Sequence, residues 1–194
     1  MPKIVNHTLQ KEKIAKATWS VIRKVGMDKA SVRNIAEEAG LSVGALRYYF
    51  KTQTELLQFS MNLVSERVNE RIYAVPQTGD LMEDVCTILY ELLPLNQEKR
   101  EEMEVYFEFT KKSISDPLLV EQRNEVLKEM QVGIRRCVEG LIVSGATNQD
   151  ISAEVEGRRL FALIDGLAFH CLLGVITIEE VKQVVRLHIQ TLCK

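Results

Sequence analysis

The stretch SVRNIAEEAGLSVGALRYYF, residues 31–50, permits very few folds. Val32, Ile35, Ala36 and Ala39 recur at the three-and-four spacing of one helical face, and Ser31 stands before them as a capping residue. Gly40 can take the left-handed conformation of a tight helix exit, and Ser42 can cap a second run. Two short helices meeting across a glycine turn, with small Ala36 and Ala39 allowing close approach, are the signature of a helix-turn-helix. In the second run Leu46, Tyr49 and Phe50 share a face and are expected to hold it on a core, which leaves Arg47 and Tyr48 aimed elsewhere.

The helical period extends along the chain. Ile14, Ala17, Thr18, Val21, Ile22 and Val25 form one stripe that ends at Gly26. Thr52-Gln53-Thr54-Glu55 reads as a capping box, with Thr52 accepting from the amide three residues on and Glu55 reaching back. That helix is expected to run to about Tyr73, before Pro76 and Gly79. Five more helices are expected at roughly 80–93, 98–114, 116–144, 153–173 and 178–193. Breaks fall at Pro94, Ser115-Asp116-Pro117, Gly145-Ala146-Thr147-Asn148 and Gly174. No segment asks to be a strand, so the expected class is all-α.

Charge is unevenly spread. Residues 1–55 hold ten Lys/Arg against five Asp/Glu, a net +5, and since the whole chain is −2 the remainder carries −7. A basic module joined to an acidic one points the first toward a polyanion. A helix-turn-helix lays its second helix in the major groove of double-stranded DNA. Val43, Gly44, Ala45, Arg47 and Tyr48 are therefore the groove-facing candidates. Arg47 can donate to guanine or phosphate, and the Tyr48 hydroxyl can reach a phosphate oxygen. Helix amides after Ser31 and Ser42 are further phosphate donors, and Arg33 and Lys51 complete the set.

The run VxxIAxxAGxS, Gly44, and the Tyr49-Phe50 pair before a capped helix resemble the TetR family of bacterial transcriptional regulators over some 50 residues. The resemblance implies a two-domain, all-helical homodimer whose C-terminal domain binds a small ligand or another signal and releases a palindromic operator. It gives residues 1–52 as the helix-turn-helix DNA-binding domain and 53–194 as the helical ligand-binding and dimerisation domain. Two positions depart from the family pattern: Arg47 and Gln53 stand where many members have a phosphate-contacting tyrosine and lysine. The segment RRLFALIDGLAFHCLLGVITIEEVKQVVRLHIQTL looks like the end of the BetI-type subgroup.

The last two helices carry unusual apolar surface, with Gly166 and Gly174 for close contact, as a dimer interface of two helices from each subunit needs. Its candidates are Phe161, Ile164, Leu167, Ala168 and Cys171, then Val184, Leu187 and His188. Tyr90, Met103, Tyr106, Phe107, Cys137, Phe161 and Phe169 are candidates to line a ligand cavity, where Asp165 would meet a cationic group. Cys86, Cys137, Cys171 and Cys193 are widely spaced without a CxxC pair and read as buried free thiols. His170, with no second His or carboxylate beside it at ligand spacing, reads as a buried or interface histidine.

No metal set, cofactor loop or nucleophile grouping appears, which argues against an enzyme. The absence of a signal peptide or a long apolar run makes the cytoplasm the expected location. The competing reading is an all-helical protein-interaction module that keeps the three-helix unit as a docking surface without specific DNA binding.

Overall fold

The computed structural model describes residues 7–147 and 151–193; Asn148 of the expected turn and Lys3 of the charge tally lie outside them. The helices are α1 (His7–Val25), α2 (Val32–Ala39), α3 (Val43–Tyr49), α4 (Gln53–Tyr73), α5 (Leu81–Tyr90), α6 (Gln97–Ser115), α7 (Val120–Val143), α8 (Ala153–Leu172) and α9 (Ile178–Leu192). Short 3-10 turns occupy Met27–Lys29 and Pro117–Leu119. Among the described residues there is no strand, only an isolated antiparallel bridge between Thr147 and Cys193. The chain is all-α.

Local chemistry sets the boundaries. Ser31 Oγ accepts from the Asn34 amide at 3.2 Å and Ser42 Oγ from the Ala45 amide at 3.1 Å, each satisfying a donor that its helix cannot. Gly40 sits at φ 67°, ψ 36°, and the amides of Gly40 and Leu41 turn back to the carbonyls of Glu37 and Ala36 at 3.0 and 2.8 Å. That paired closure needs the left-handed residue glycine provides, and it fixes where α3 departs from α2.

The box before α4 differs from expectation on one side. Thr52 Oγ1 accepts from the Glu55 amide at 3.0 Å, but Glu55 reaches the amide of Lys51 at 2.9 Å, one residue further back. The segment expected to be helical from Asp116 instead opens as a 3-10 turn. Pro117 has no N–H to extend a helix, and Asp116 caps the turn by accepting from Leu118 at 3.1 Å.

Two compact units result. Met1–Arg67 and Glu104–Arg123 form the first, and Val68–Met103 and Asn124–Lys194 the second. In the first, Ile14, Ala15, Ile22, Ile35, Ala36, Leu46, Phe50, Leu56 and Phe109 make the core. Trp19, expected to pack the first helix, is buried, donates from its indole to the Ser60 carbonyl at 3.0 Å, and has the Arg67 guanidinium over its ring. The second half of α6 is fastened to α1 and the turn after it. Arg23 meets Glu104 at 2.6 Å, Lys112 meets Asp28 at 2.8 Å, and the Met27 amide donates to Glu108 at 3.4 Å.

In the second unit, Val85, Leu89, Ile134, Val138, Leu160, Ile164, Val181, Val185 and Ile189 are buried. A Cβ on Gly157 would come within 3.2 Å of the Arg135 backbone, so α7 and α8 approach each other closely there. Arg71 is bidentate to the buried Glu102, at 3.2 and 2.6 Å, and donates to Glu91, which Lys99 also holds at 2.8 Å. Cys86, Cys137 and Cys171 are buried free thiols, whereas Cys193 is half-exposed. Burial pushes the Cys86 and Cys137 thiols up to about 11.

Candidate nucleic-acid interface

In the first unit α2 and α3 stand in helix-turn-helix order, anchored from within by Ile35, Ala36, Ala39, Leu46 and Phe50, all nearly or wholly buried. Their outward residues follow from that anchoring. Ser31, Arg33, Ser42, Val43, Gly44, Arg47, Tyr48 and Lys51 are exposed, and Ala45 is half-buried. Tyr48 is 73% exposed, while Leu46, two positions earlier on a helix held by its other face, is fully buried. Arg33, Arg47 and Lys51 form no ion pair among the described residues.

Three other cations of the module are already engaged, while Lys13, Lys16 and Lys29 are exposed. Lys24 Nζ bonds both oxygens of Glu38, at 2.8 and 2.9 Å. That contact, followed by a hydrogen bond from Ser20, holds the Glu38 carboxyl below its ordinary range. Arg23 is taken by Glu104, and Lys11 Nζ lies over the rings of Phe50 and Phe59 at 5.4 and 5.6 Å. Arg33, Arg47 and Lys51 are thus among the module's cations that face outward.

Gly44 carries independent information. A Cβ built there would meet only Ser42 Oγ, at 3.9 Å, so the chain's own packing does not demand glycine. Glycine inside a helix costs about 0.5–1 kcal/mol relative to alanine. The outward side of the helix is left open there.

Two expectations change. Tyr49, assigned to the core with Leu46 and Phe50, is only half-buried. Its ring rests on His7 from the start of α1 at 4.7 Å and meets the Tyr48 ring edge-on at 5.2 Å. Gln53, which stands where many family members have a phosphate-contacting lysine, donates its side-chain amide to the Ala30 carbonyl at 2.8 Å and so ties the start of α4 to the loop before α2. His7 was not singled out in the sequence, because a single ring ahead of the α1 stripe carries no periodic signal.

The remaining candidates lie elsewhere. Tyr106 and Cys137 are buried; Tyr90, Met103, Phe107, Phe161 and Asp165 are half-buried; Phe169 is exposed. Tyr90 donates its hydroxyl to the Lys182 carbonyl at 3.2 Å. On α8 and α9, Ile164, Leu167, Ala168 and Cys171 are buried within the single chain, whereas Phe161, Val184 and His188 are half-buried and Leu187 is exposed. His188 Nε2 stands 3.0 Å from the buried Glu156 carboxylate, but off the line of a hydrogen bond. His170, expected to be buried or at an interface, is exposed in the chain itself because it falls on the outer side of α8.

Comparison with known proteins agrees with this geometry. Residues 14–58 match the family described as bacterial regulatory proteins, tetR family, and residues 82–194 match the BetI-type transcriptional repressor C-terminal family. The chain is 41% identical over 197 residues to the HTH-type transcriptional regulator PksA of Bacillus subtilis, covering 100% of this chain and 94% of that one. It is 27% identical over 174 residues to the HTH-type transcriptional regulator BetI of Escherichia coli, covering 86% and 84%.

Among solved structures, a transcriptional regulator from Rhodococcus sp. Rha1 superposes with a TM-score of 0.81 at 27% identity, covering 94% of this chain and 95% of that one. A regulator from Saccharomonospora viridis in complex with choline superposes at 0.83 with 21% identity, covering 96% and 99%, a likeness of fold alone. With a helix-turn-helix whose free cations surround α3, and matches that span both halves, the chain belongs to the TetR family of DNA-binding transcriptional regulators, with a BetI-type C-terminal region and no enzymatic role.

Proposed function

We propose that the protein is a homodimeric repressor that grips a palindromic operator with α2 and α3 of each subunit and releases it when a small molecule binds the helices of residues 53–194. Residues 1–52 are then the part that touches DNA. The observation that carries the reading is the outward row of Gly44, Arg47 and Tyr48 on a helix whose other face is buried, flanked by the uncommitted cations Arg33 and Lys51. Phosphates fix the docked register, and base edges are read by the side chains that enter the groove. Ser31, Ser42, Val43 and Ala45 complete the contact set. Such a protein works where the chromosome is, in the cytoplasm.

Dimerisation is assigned to the outer faces of α8 and α9, where Phe169 and Leu187 remain exposed in the single chain. For the effector we assign Tyr90, Cys137, Phe161 and Asp165, three largely apolar side chains and one acidic group. The description of the matched C-terminal family, a BetI-type transcriptional repressor, supports negative control.

The test is operator binding against salt. Duplexes are selected by the wild-type protein from a random pool and then titrated by fluorescence anisotropy. Affinity is expected to fall steeply, by a slope of about −0.9 for each phosphate neutralised. Arg47→Ala is expected to cost about 1–3 kcal/mol at one base-pair position of each half-site when Arg47 reads a base. A phosphate contact would instead weaken all sequences evenly and reduce the salt slope by about one unit per subunit. Flat salt dependence, or no duplex enriched at all, would overturn the reading in favour of an interaction module.

A further inference from the structure

The first residue of α1 lies against the residues that end the recognition helix. The His7 ring centroid is 4.7 Å from that of Tyr49 at an interplanar angle of 51°, and 5.5 Å from that of Tyr48 at 60°. Tyr48 and Tyr49 meet edge to face at 5.2 Å and 88°, closing a cluster of three rings. One helical turn further along α1, the Lys11 ammonium lies over Phe50 and Phe59. Residues four apart on a helix share a face, so His7 and Lys11 together present one side of α1 to the consecutive aromatics Tyr48, Tyr49 and Phe50.

Position alone does not fix Tyr48. It is 73% exposed, its hydroxyl makes no hydrogen bond among the described residues, and α3 ends one residue later. An exposed tyrosine keeps rotamer freedom that must be surrendered when its hydroxyl engages a phosphate, and that ordering weakens binding. Ring contacts made before DNA arrives remove part of this cost.

We infer that His7 is a positioning residue for DNA recognition: through the ring cluster it holds Tyr48 in its outward orientation, so that α1 takes part in operator binding without His7 itself reading DNA. The inference rests on the assignment of Tyr48 to the DNA face.

The experiment is a double-mutant cycle read by anisotropy on a duplex selected by the wild-type protein, with His7→Ala, His7→Phe, Tyr48→Ala and the His7→Ala/Tyr48→Ala pair. His7→Ala is expected to lower affinity about two- to tenfold per half-site, the range set by the worth of an aromatic pair. The salt slope should stay at the wild-type value, because no phosphate contact is lost. His7→Phe, which keeps a ring in place, should restore binding to within about twofold. In the Tyr48→Ala background His7→Ala should have no further effect.

Multiplicative losses in the double variant, full affinity in His7→Ala, or failure of His7→Phe to rescue would each overturn the inference. A reduced salt slope in His7→Ala would replace it with a direct phosphate contact. If the wild-type protein enriches no duplex, the DNA-binding reading fails first and the inference falls with it. If Tyr48→Ala binds like wild type, the DNA-binding reading stands and only the role given to this ring cluster is lost.

Discussion

Tyr48 and Tyr49 are adjacent, yet one is open to solvent and the other is half covered by a ring from α1. Removing a fully buried large aromatic costs about 3–5 kcal/mol, so the half-covered Tyr49 is expected to lose about 1–3 kcal/mol as Tyr49→Ala. In urea unfolding that should appear as a lowered midpoint with an unchanged slope. Tyr48→Phe should leave the midpoint unchanged and weaken operator binding by about 0.5–1.5 kcal/mol. A destabilised Tyr48→Phe beside an unaffected Tyr49→Ala would mean the face of α3 is misassigned. The spacing in the sequence places Leu46 and Phe50 inside, where they are. It could not place Tyr49, because a face drawn on an ideal helix does not know that α3 stops at that residue. The cover for Tyr49 comes from a histidine 42 positions earlier, a partner that no local pattern announces.

Helix ends are where this chain is most readable. The serines before α2 and α3, the threonine before α4 and the glycine after α2 all act where their chemistry suggests, because a cap is a bond among residues within a turn of each other. Ties between distant elements were not legible. The pairs joining α1 and its following turn to α6 link residues some 80 positions apart, and nothing in either segment selects its partner.

The cap of α9 gives a pH prediction. Thr177 and Glu180 form a reciprocal box, and hydrogen bonds from the Thr177 amide and then its hydroxyl hold the Glu180 carboxyl below its ordinary 4.5. A depressed folded-state value means the box contributes fully above about pH 4.5 and is lost as pH falls through the lowered value. Urea unfolding followed from pH 6 to pH 3 should therefore show a shallower loss of stability in Glu180→Gln than in wild type. Equal slopes would remove Glu180 from the acid response.

For the molecule as a whole, the proposed dimer turns on which face a second copy would cover. Leu167, though apolar and on α8, is buried in its own chain, so a charge placed there would unfold the subunit before it could report on a partner. Leu187 is 51% exposed and is the informative site. If a second copy covers it, Leu187→Glu strands an unpaired charge in the interface at a cost of several kcal/mol. Sedimentation should then find a folded monomer with wild-type helicity. A variant that sediments as a dimer would move the interface off α9.

Biosynthesis meets a delay written into the first unit. That unit closes with Glu104–Arg123, including the buried Phe109 and Leu119 and the partners of Arg23 and Asp28. As the chain leaves the ribosome, α1 to α3 emerge long before these residues do. At about 5–20 residues per second, the 56 residues from Arg67 to Arg123 take about 3–11 seconds to synthesise. Through that interval the nascent first unit lacks the last part of its core, which arrives only after residues 68–103 of the second unit have been translated.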